Sequence, residues 1–200
     1  MRSSINLGRW FGVPVGLHYS WFIIAWLITL SLRVQFAELN PAWSPAVVWL
    51  LSGVTAALFF VSIVLHELAH ATVARLGGVP VRSITLFALG GIAQIERDAP
   101  GPAMEFCTAI AGPAASVAIG VVCRVMAGVV WFFAPSPSGA AVAAVLGWLA
   151  YINIVLAVFN LIPGFPLDGG RVLRSVIWAI TNSVDRATRI AARAGQFIGF

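Results

Sequence analysis

The chain has 200 residues, of which 60% are hydrophobic and only 10% are charged. Soluble domains carry about 25% charged residues, so this composition excludes an ordinary soluble domain and indicates one integral membrane domain. The net charge is +5, and all twelve basic residues are arginines. They lie between apolar runs, which is typical of membrane-topology signals rather than of a nucleic-acid surface, so we expect no nucleic-acid partner.

The first apolar run covers residues 17–32 and predicts a first membrane helix, although it is short for a span of about 20 residues. Trp10 and Phe11 precede this run, and we expect them to extend it along the membrane interface. His18 stands at its start, where a lone histidine is usually an interfacial residue. No small-residue cleavage site follows, so the helix is predicted to be retained rather than removed as a signal peptide.

The second predicted helix contains the most informative motif of the chain. Residues 46–65 are uncharged, and the helix is predicted to continue to Arg75, where two glycines end it. Near its end stands an HExxH motif formed by His66, Glu67 and His70. Residues four apart share a helix face, so the two histidines can hold one metal ion while Glu67 takes a proton from a water on that ion. Ionisable residues inside a membrane helix are costly, and they therefore indicate a functional site.

Residues 79–97 are too polar and too short to span a membrane, and their β-branched residues with a central glycine pair predict a β-hairpin. An open hairpin edge can hold an extended peptide by strand addition. The alternative from these residues alone is a plain surface loop. If the hairpin binds a peptide, the residues expected to contact it are Ile84, Leu86, Gly90, Gly91, Ile92 and Gln94.

Two further spans are predicted at residues 106–123 and 139–162. In the first of them Gly112, Ser116 and Gly120 are spaced by four, which lets another helix approach closely. Residues 126–133 are predicted to form a separate interfacial segment.

A turn rich in proline and glycine follows at residues 163–171 and is predicted to stop the fourth helix. Residues 172–180 then predict a short amphipathic helix. The apolar end of the chain is predicted to begin a fifth span, which suggests that the chain is truncated at its C-terminus. The predicted fold is thus an all-α membrane bundle of four transmembrane helices plus the start of a fifth, with a membrane-associated β-hairpin between helices two and three.

The arginines predict the orientation of this bundle. With a cytoplasmic N-terminus, the outer side carries only Arg33 and Arg124, a strong positive-inside bias. His66 then lies roughly 13 Å from Arg75 along the second helix, and Asp168 lies just past the cytoplasmic end of the fourth, so the two polar groups can meet. The arginines on the cytoplasmic side are Arg2, Arg9, Arg75, Arg82, Arg97, Arg171, Arg174, Arg186, Arg189 and Arg193.

A catalytic zinc site typically has three protein ligands and a water, so two histidines leave one ligand to be found. The candidates are Asp168, Glu96, Glu105 and His18. Asp168 is favoured on local grounds because it stands in a rigid Pro/Gly turn at matching depth. A simple Asp-Gly turn is the alternative explanation for that residue.

Several segments together resemble the site-2 protease family of intramembrane zinc metalloproteases. The resemblance rests on HELAH at 66–70, FALGGIAQIE at 87–96, AGPAAS at 111–116 and NLIPGFPLDGG at 160–170. The segment LGRWFGVPVGLHYSW at 7–21 resembles the branch whose members often carry C-terminal CBS domains. The resemblance covers essentially the whole chain, so residues 1–200 are expected to form a single intramembrane metalloprotease domain.

The resemblance implies one zinc ion per chain, bound by His66, His70 and Asp168, with Glu67 as general base. It also implies that Asn160 helps to bind substrate or to stabilise the transition state. The expected location is a prokaryotic cell (inner) membrane, with the N-terminus and the active-site side in the cytoplasm. The expected substrate is a transmembrane protein, such as a transcription-factor or anti-sigma-factor precursor.

Two alternatives remain open at this stage. A catalytically inactive relative would bind membrane helices without cutting them, although the intact HExxH motif argues against it. A zinc transporter would place its site near the membrane midplane between two related halves, and the sequence contains no second cluster of histidines or carboxylates.

Overall fold

The computed structural model of the chain describes residues 5–10, 12–87, 90–95 and 99–198. Within these residues the chain forms six helices and four strands. In chain order they are β1 (Ile5–Trp10), β2 (Val13–Leu17), α1 (Ser20–Leu39), α2 (Pro45–Leu76), β3 (Val81–Phe87), β4 (Gly90–Ile95), α3 (Pro102–Phe133), α4 (Pro137–Asn160), α5 (Asp168–Thr181) and α6 (Val184–Ile198).

Four of the described helices, α1 to α4, are long and apolar enough to cross a membrane, which confirms the four predicted spans. Two of them begin with the same local signal. Ser44 accepts a hydrogen bond from the backbone N–H of Val47 and is followed by a proline, and Ser136 does the same for Gly139. A serine N-cap and a proline in the first turn satisfy or remove the N–H groups that a helix start leaves unpaired.

Helix α3 is longer than predicted and continues without a break to Phe133. The prediction of a separate interfacial segment at 126–133 is therefore wrong. A single arginine such as Arg124 does not end a membrane helix, because its long side chain can extend to the polar boundary. No proline occurs between Arg124 and Phe133, and the helix stops just before Pro135.

Helix α5 begins at Asp168, four residues earlier than predicted, so Gly169 and Gly170 belong to its first turn. Helix α6 occupies the stretch that was expected to begin a fifth span. Its described residues include Arg186, Arg189 and Arg193, and it is not among the helices that are long and apolar enough to cross a membrane. The fifth span remains a prediction.

The predicted hairpin is confirmed as the antiparallel pair β3–β4, but it belongs to a larger sheet with the strand order β1-β2-β3-β4. β2 runs parallel to β3 and antiparallel to β1. The expectation that Trp10 extends the first helix is wrong because Trp10 ends strand β1, and Phe11 lies outside the described residues. Val13, Val15 and Leu17 lie on one face of β2 and are all buried.

β3 is an internal strand, and this corrects part of the predicted peptide-binding surface. Ile84 is 0% exposed and Leu86 is 2% exposed, and they share a hydrophobic cluster with Val64 and Leu68 of α2. β2 and β4 occupy both edges of β3. The expectation that Ile84 and Leu86 contact a peptide therefore does not hold, since their side chains anchor the sheet to the helix that carries the HExxH motif.

Candidate metal centre

His66 and His70 lie on one face of α2, as their spacing predicts. Both are almost completely buried, with 4% of each residue exposed. Their Nε2 atoms are 3.2 Å apart. The second membrane helix thus presents two imidazole nitrogens at a single point.

Asp168 is the third residue at this point, although it lies 102 residues from His66 in the sequence. Its Oδ2 atom is 3.2 Å from the Nε2 atoms of both His66 and His70. Asp168 is the first residue of α5, where the partial positive charge of a helix N-terminus favours a carboxylate. His66, His70 and Asp168 form a group whose geometry can hold a metal ion.

The two glycines after Asp168 allow the preceding loop to pack directly on the first turn of α5. A Cβ atom on Gly169 would overlap the backbone carbonyls of Leu161 and Ile162, and one on Gly170 would overlap the backbone of Gly164 and Phe165. The sequence Asp-Gly-Gly therefore fixes where α5 begins, and with it the position of the Asp168 carboxylate.

The spacing of the three ligand atoms fits zinc. With metal–ligand bonds of about 2.0 Å, two ligands of a tetrahedral site lie about 3.3 Å apart. Each side of the triangle formed by His66, His70 and Asp168 measures 3.2 Å. Two imidazoles and one carboxylate are also a ligand set found in catalytic zinc sites, where a fourth position is left for water.

Helix α3 orients both imidazoles through contacts to their Nδ1 atoms, while their Nε2 atoms face Asp168. The Nδ1–H of His70 donates to the backbone carbonyl of Thr108 at 2.6 Å, and the Nδ1 atom of His66 is 2.9 Å from the Oγ atom of Ser116. A neutral His70 that donates through Nδ1 turns the lone pair of Nε2 toward Asp168. Electron-rich atoms packed this closely need a positive charge among them, from a proton or from a metal ion.

Gly112 of α3 lies where the two imidazoles meet. A Cβ atom at this position would overlap the Nε2 atoms of both His66 and His70. The absence of a side chain thus leaves room for the metal-facing side of the imidazoles. The predicted close approach at Gly112, Ser116 and Gly120 is confirmed, since all three are buried, with Gly120 packed against Ile154 and the Ala150 carbonyl of α4.

Asp168 is ionised at neutral pH, as a metal ligand must be. Burial by itself would raise the pKa of Asp168, but its interactions with His66 and His70 lower that pKa well below the usual range. The carboxylate is therefore available to bind a cation without first losing a proton.

Glu67 follows His66 directly on α2 and is only partly buried. His66 and His70 share a helix face, and the residue directly after His66 points away from that face. Glu67 therefore lies beside the ligand triangle and not within it. This is the position from which a carboxylate can exchange a proton with a water at the fourth position of the metal. Its role as general base remains a prediction.

The other candidates for the third ligand have different partners. The Oε1 atom of Glu105 accepts from Arg171 and Arg174 of α5. The Nδ1 atom of His18 is 2.8 Å from the Oγ atom of Ser20. Glu96 lies outside the described residues. Among the described candidates, Asp168 is the one that the fold brings to the histidines.

Asn160 is the last residue of α4, and its amide donates to the Leu156 carbonyl of the same helix at 3.0 Å. Its predicted contact with substrate or with the transition state remains a prediction.

Thr108 and the hydroxyl of Ser116 contribute to the site although no role was predicted for either from the sequence. Ser116 carried a usable signal, because it lies in the AGPAAS segment and shares the four-residue spacing with Gly112. Thr108 acts through its backbone carbonyl. Every residue type has such a carbonyl, so the sequence could not reveal this contact.

Comparisons with known proteins agree with this site. The sequence model of peptidase family M50 matches residues 54–136 and 126–200. A protein of Synechocystis sp. that is named as a zinc metalloprotease is 41% identical over 200 residues, which are 100% of this chain and 51% of that protein. The protein named zinc metalloprotease Rip3 of Mycobacterium tuberculosis is 40% identical over 202 residues, covering 99% of this chain and 50% of its own length.

A solved structure is also similar. The site-2 protease from Methanocaldococcus jannaschii superposes with a TM-score of 0.61 at 34% sequence identity, covering 97% of this chain and 80% of that one. The chain spans about half the length of the curated relatives it matches.

Four helices able to span a membrane, with a His-His-Asp group where α2 meets α5 and a glutamate next to it on α2, define an integral membrane protein with a zinc-peptidase type of site. The chain belongs to peptidase family M50, the site-2 protease family.

Replacing Asp168 with alanine should remove one of three zinc ligands. We expect zinc affinity to fall by more than about 100-fold, since even residues that only support a ligand are typically worth 10- to 100-fold. The measurement is zinc content by mass spectrometry and a competitive chelator titration of the detergent-purified chain. Asp185→Ala is the matched control, because Asp185 is an exposed residue of α6. Equal zinc affinity in wild type and Asp168→Ala would exclude Asp168 as a ligand.

Gly112→Ala should displace the imidazoles and weaken zinc binding by about 10- to 100-fold. Gly128→Ala is the control on the same helix, because a Cβ atom at Gly128 has no neighbour within 4 Å. Chelator titration and thermal unfolding of both variants provide the comparison. Wild-type zinc affinity in a folded Gly112→Ala variant would contradict the close approach of α3 to the site.

Proposed function

We propose that the chain is the catalytic core of an intramembrane zinc metalloprotease, which hydrolyses peptide bonds within or near transmembrane segments of membrane proteins. The observation that carries the proposal is the triangle of ligand atoms at 3.2 Å from His66, His70 and Asp168, with Glu67 next to it on α2. The relatives named as zinc metalloproteases support the same activity.

His66, His70 and Asp168 would hold the zinc ion, which when bound lowers the pKa of a water and polarises a peptide carbonyl. Glu67 takes the proton from the attacking water and later returns it to the leaving amine. The amide of Asn160 is a candidate donor to the tetrahedral oxyanion. Its Nδ2 atom carries two N–H groups, and one of them donates to the Leu156 carbonyl, so the second remains for this role.

A substrate helix must unwind before cleavage, because its carbonyls are otherwise hydrogen-bonded within the helix. We propose that the unwound segment pairs with β4, which lies next to α2. Among the described strands β4 has one neighbour, β3, so its other edge can accept a further strand.

The register of the sheet identifies which β4 groups point to this edge. The carbonyl of Leu86 accepts from His18 on the β2 side, and the N–H and C=O groups of one strand residue point the same way. Leu86 pairs with Gly91, and Ile84 pairs with Ala93. Gly91 and Ala93 should therefore direct their backbone groups away from β3, toward a peptide at the open edge.

Of the predicted peptide contacts Gly90, Gly91, Ile92 and Gln94, only Gly91 directs its backbone groups to the open edge by this register, and Ala93 is the second outward residue. The side chains of these residues lie outside the described part of the chain. Backbone pairing gives affinity without a strong sequence requirement, which suits a protease that accepts different membrane proteins.

The distribution of the arginines supports one orientation of the chain. We propose that the N-terminus and the site face the cytoplasm of a prokaryotic cell, because ten of the twelve arginines fall on that side. Cleavage there releases the cytoplasmic part of a substrate, so precursors of transcription factors and anti-sigma factors are suitable substrates.

Glu67→Gln should keep zinc and abolish cleavage, because the amide cannot take up the proton of the attacking water. Membrane vesicles from cells that make the wild type or the variant would be compared by mass spectrometry of newly formed N-termini. Zinc content is measured in the same samples, and Glu38→Gln, an exposed residue at the end of α1, is the matched control. Cells that lack the chain provide the background. N-termini from Glu67→Gln that match the wild type and exceed this background would refute the role of Glu67, and wild-type N-termini identical to the background would favour the catalytically inactive alternative.

Ala93→Pro should remove the outward N–H of β4 and leave the pairing of β4 with β3 intact, since proline is tolerated on edge strands. We expect zinc content and thermal stability close to wild type, with a loss of cleavage of about tenfold, the equivalent of one backbone hydrogen bond of roughly 1–1.5 kcal/mol. Ala93→Val keeps the N–H group and should cleave like the wild type. Full cleavage by a folded Ala93→Pro variant would argue against strand addition at this edge.

A further inference from the structure

Among the acidic residues that the structure describes, Glu105 is the most deeply buried one that the proposed chemistry does not use. Only 1% of it is exposed, and it lies in the first turn of α3. Its Oε1 atom accepts from the Nε of Arg171 at 3.2 Å and from the Nη2 of Arg174 at 2.7 Å. A buried carboxylate that is paired in this way is costly to separate from its partners, so the three side chains tie the start of α3 to α5.

The ion pairs of Glu105 with Arg171 and Arg174 lie close to Asp168 in the chain. Arg171 follows Asp168 by three residues, so both belong to the first turns of α5. The guanidinium of Arg174 also lies over the ring of Phe165, 5.8 Å from its centroid. Phe165 belongs to the loop that leads into Asp168, so Arg174 connects the carboxylate of Glu105 with both the loop and the helix that place the third ligand.

Glu105 also shares a face of α3 with the residues that orient the histidines. Thr108, Gly112 and Ser116 follow it at intervals of three and four residues, which keeps all four on one side of a helix. Three of these positions act on His66 and His70, through the Thr108 carbonyl, the missing side chain of Gly112 and the Ser116 hydroxyl. The fourth, Glu105, acts on the helix of Asp168.

We propose that Glu105 is a positioning residue for the third metal ligand, which holds the first turn of α5 through Arg171 and Arg174 so that the Asp168 carboxylate meets both imidazoles. The inference rests on the proposed metal site. Glu105 does not contact the metal or the substrate in this role, and its effect on the site passes through Asp168.

The test is a double-mutant cycle on zinc affinity. The detergent-purified chain is stripped of metal with a chelator and titrated with zinc against a competing chelator dye, for wild type, Glu105→Gln, Asp168→Ala and the double variant. Glu38→Gln is the matched control, because it makes the same Glu-to-Gln change at an exposed position. Thermal unfolding without metal reports any general loss of stability.

Glu105→Gln should lower zinc affinity by about 10- to 100-fold, the usual effect of a residue that supports a ligand, while Glu38→Gln should match the wild type. In the Asp168→Ala background, Glu105→Gln should have no further effect on zinc affinity. A structural role alone would lower stability and affinity in both backgrounds alike, so the cycle separates the two.

An equal loss of affinity with and without Asp168 would overturn the inference, and so would wild-type affinity in Glu105→Gln. If Asp168→Ala binds zinc as tightly as the wild type, the ligand assignment fails, and the positioning role fails with it. If Glu105→Gln does not fold, Glu105→Asp replaces it in the cycle. That variant keeps the charge but shortens the reach, so a smaller loss that again disappears in the Asp168→Ala background is the expected result.

Discussion

One face of α3 holds the metal centre together. The three ligand atoms must lie 3.2 Å apart, yet His66 and Asp168 belong to different helices and are 102 residues apart in the chain. Glu105, Thr108, Gly112 and Ser116 stand between them and are all buried. This face fixes the ring orientation of both histidines and the position of α5, so the geometry of the site depends on the packing of a helix that supplies no ligand.

The membrane setting explains why hydrogen bonds and ion pairs, rather than apolar packing, position the metal ligands. Lipid tails are as apolar as leucine, so helices gain little from burying apolar side chains against each other, and close packing and polar contacts matter more. Some buried hydroxyls of the spans donate within their own helix, as Ser52 and Thr55 do to the carbonyl four residues earlier. At the metal centre, by contrast, hydrogen bonds and ion pairs join α2, α3 and α5. Each of these bonds fixes one helix relative to another where the chemistry needs a fixed distance.

The sheet is coupled to the same helix as the metal. Val64 precedes the HExxH motif on α2 and Leu68 lies within it, and both pack in one cluster with Ile84 and Leu86 of β3. A peptide at the open edge of β4 would therefore be held at a defined distance from the ligands, because one rigid helix carries both. In this arrangement the internal strand β3 serves as an anchor, and the edge strand β4 remains available for binding.

The sequence by itself determined the features that depend on local spacing. Runs of apolar residues gave the four spans, the four-residue interval gave the common face of His66 and His70, and the glycine pair gave the β3–β4 hairpin. The sequence favoured Asp168 over Glu96, Glu105 and His18 as third ligand only on local grounds and by resemblance, because the contacts of an isolated polar residue depend on what lies across the fold. Strand β2 was missed for the same reason: it pairs in parallel with β3 across two intervening helices, and no local pattern records that pairing. Only the tertiary structure decided that Asp168 meets the histidines and that Glu105 binds two arginines, since contacts between distant segments depend on how whole helices pack.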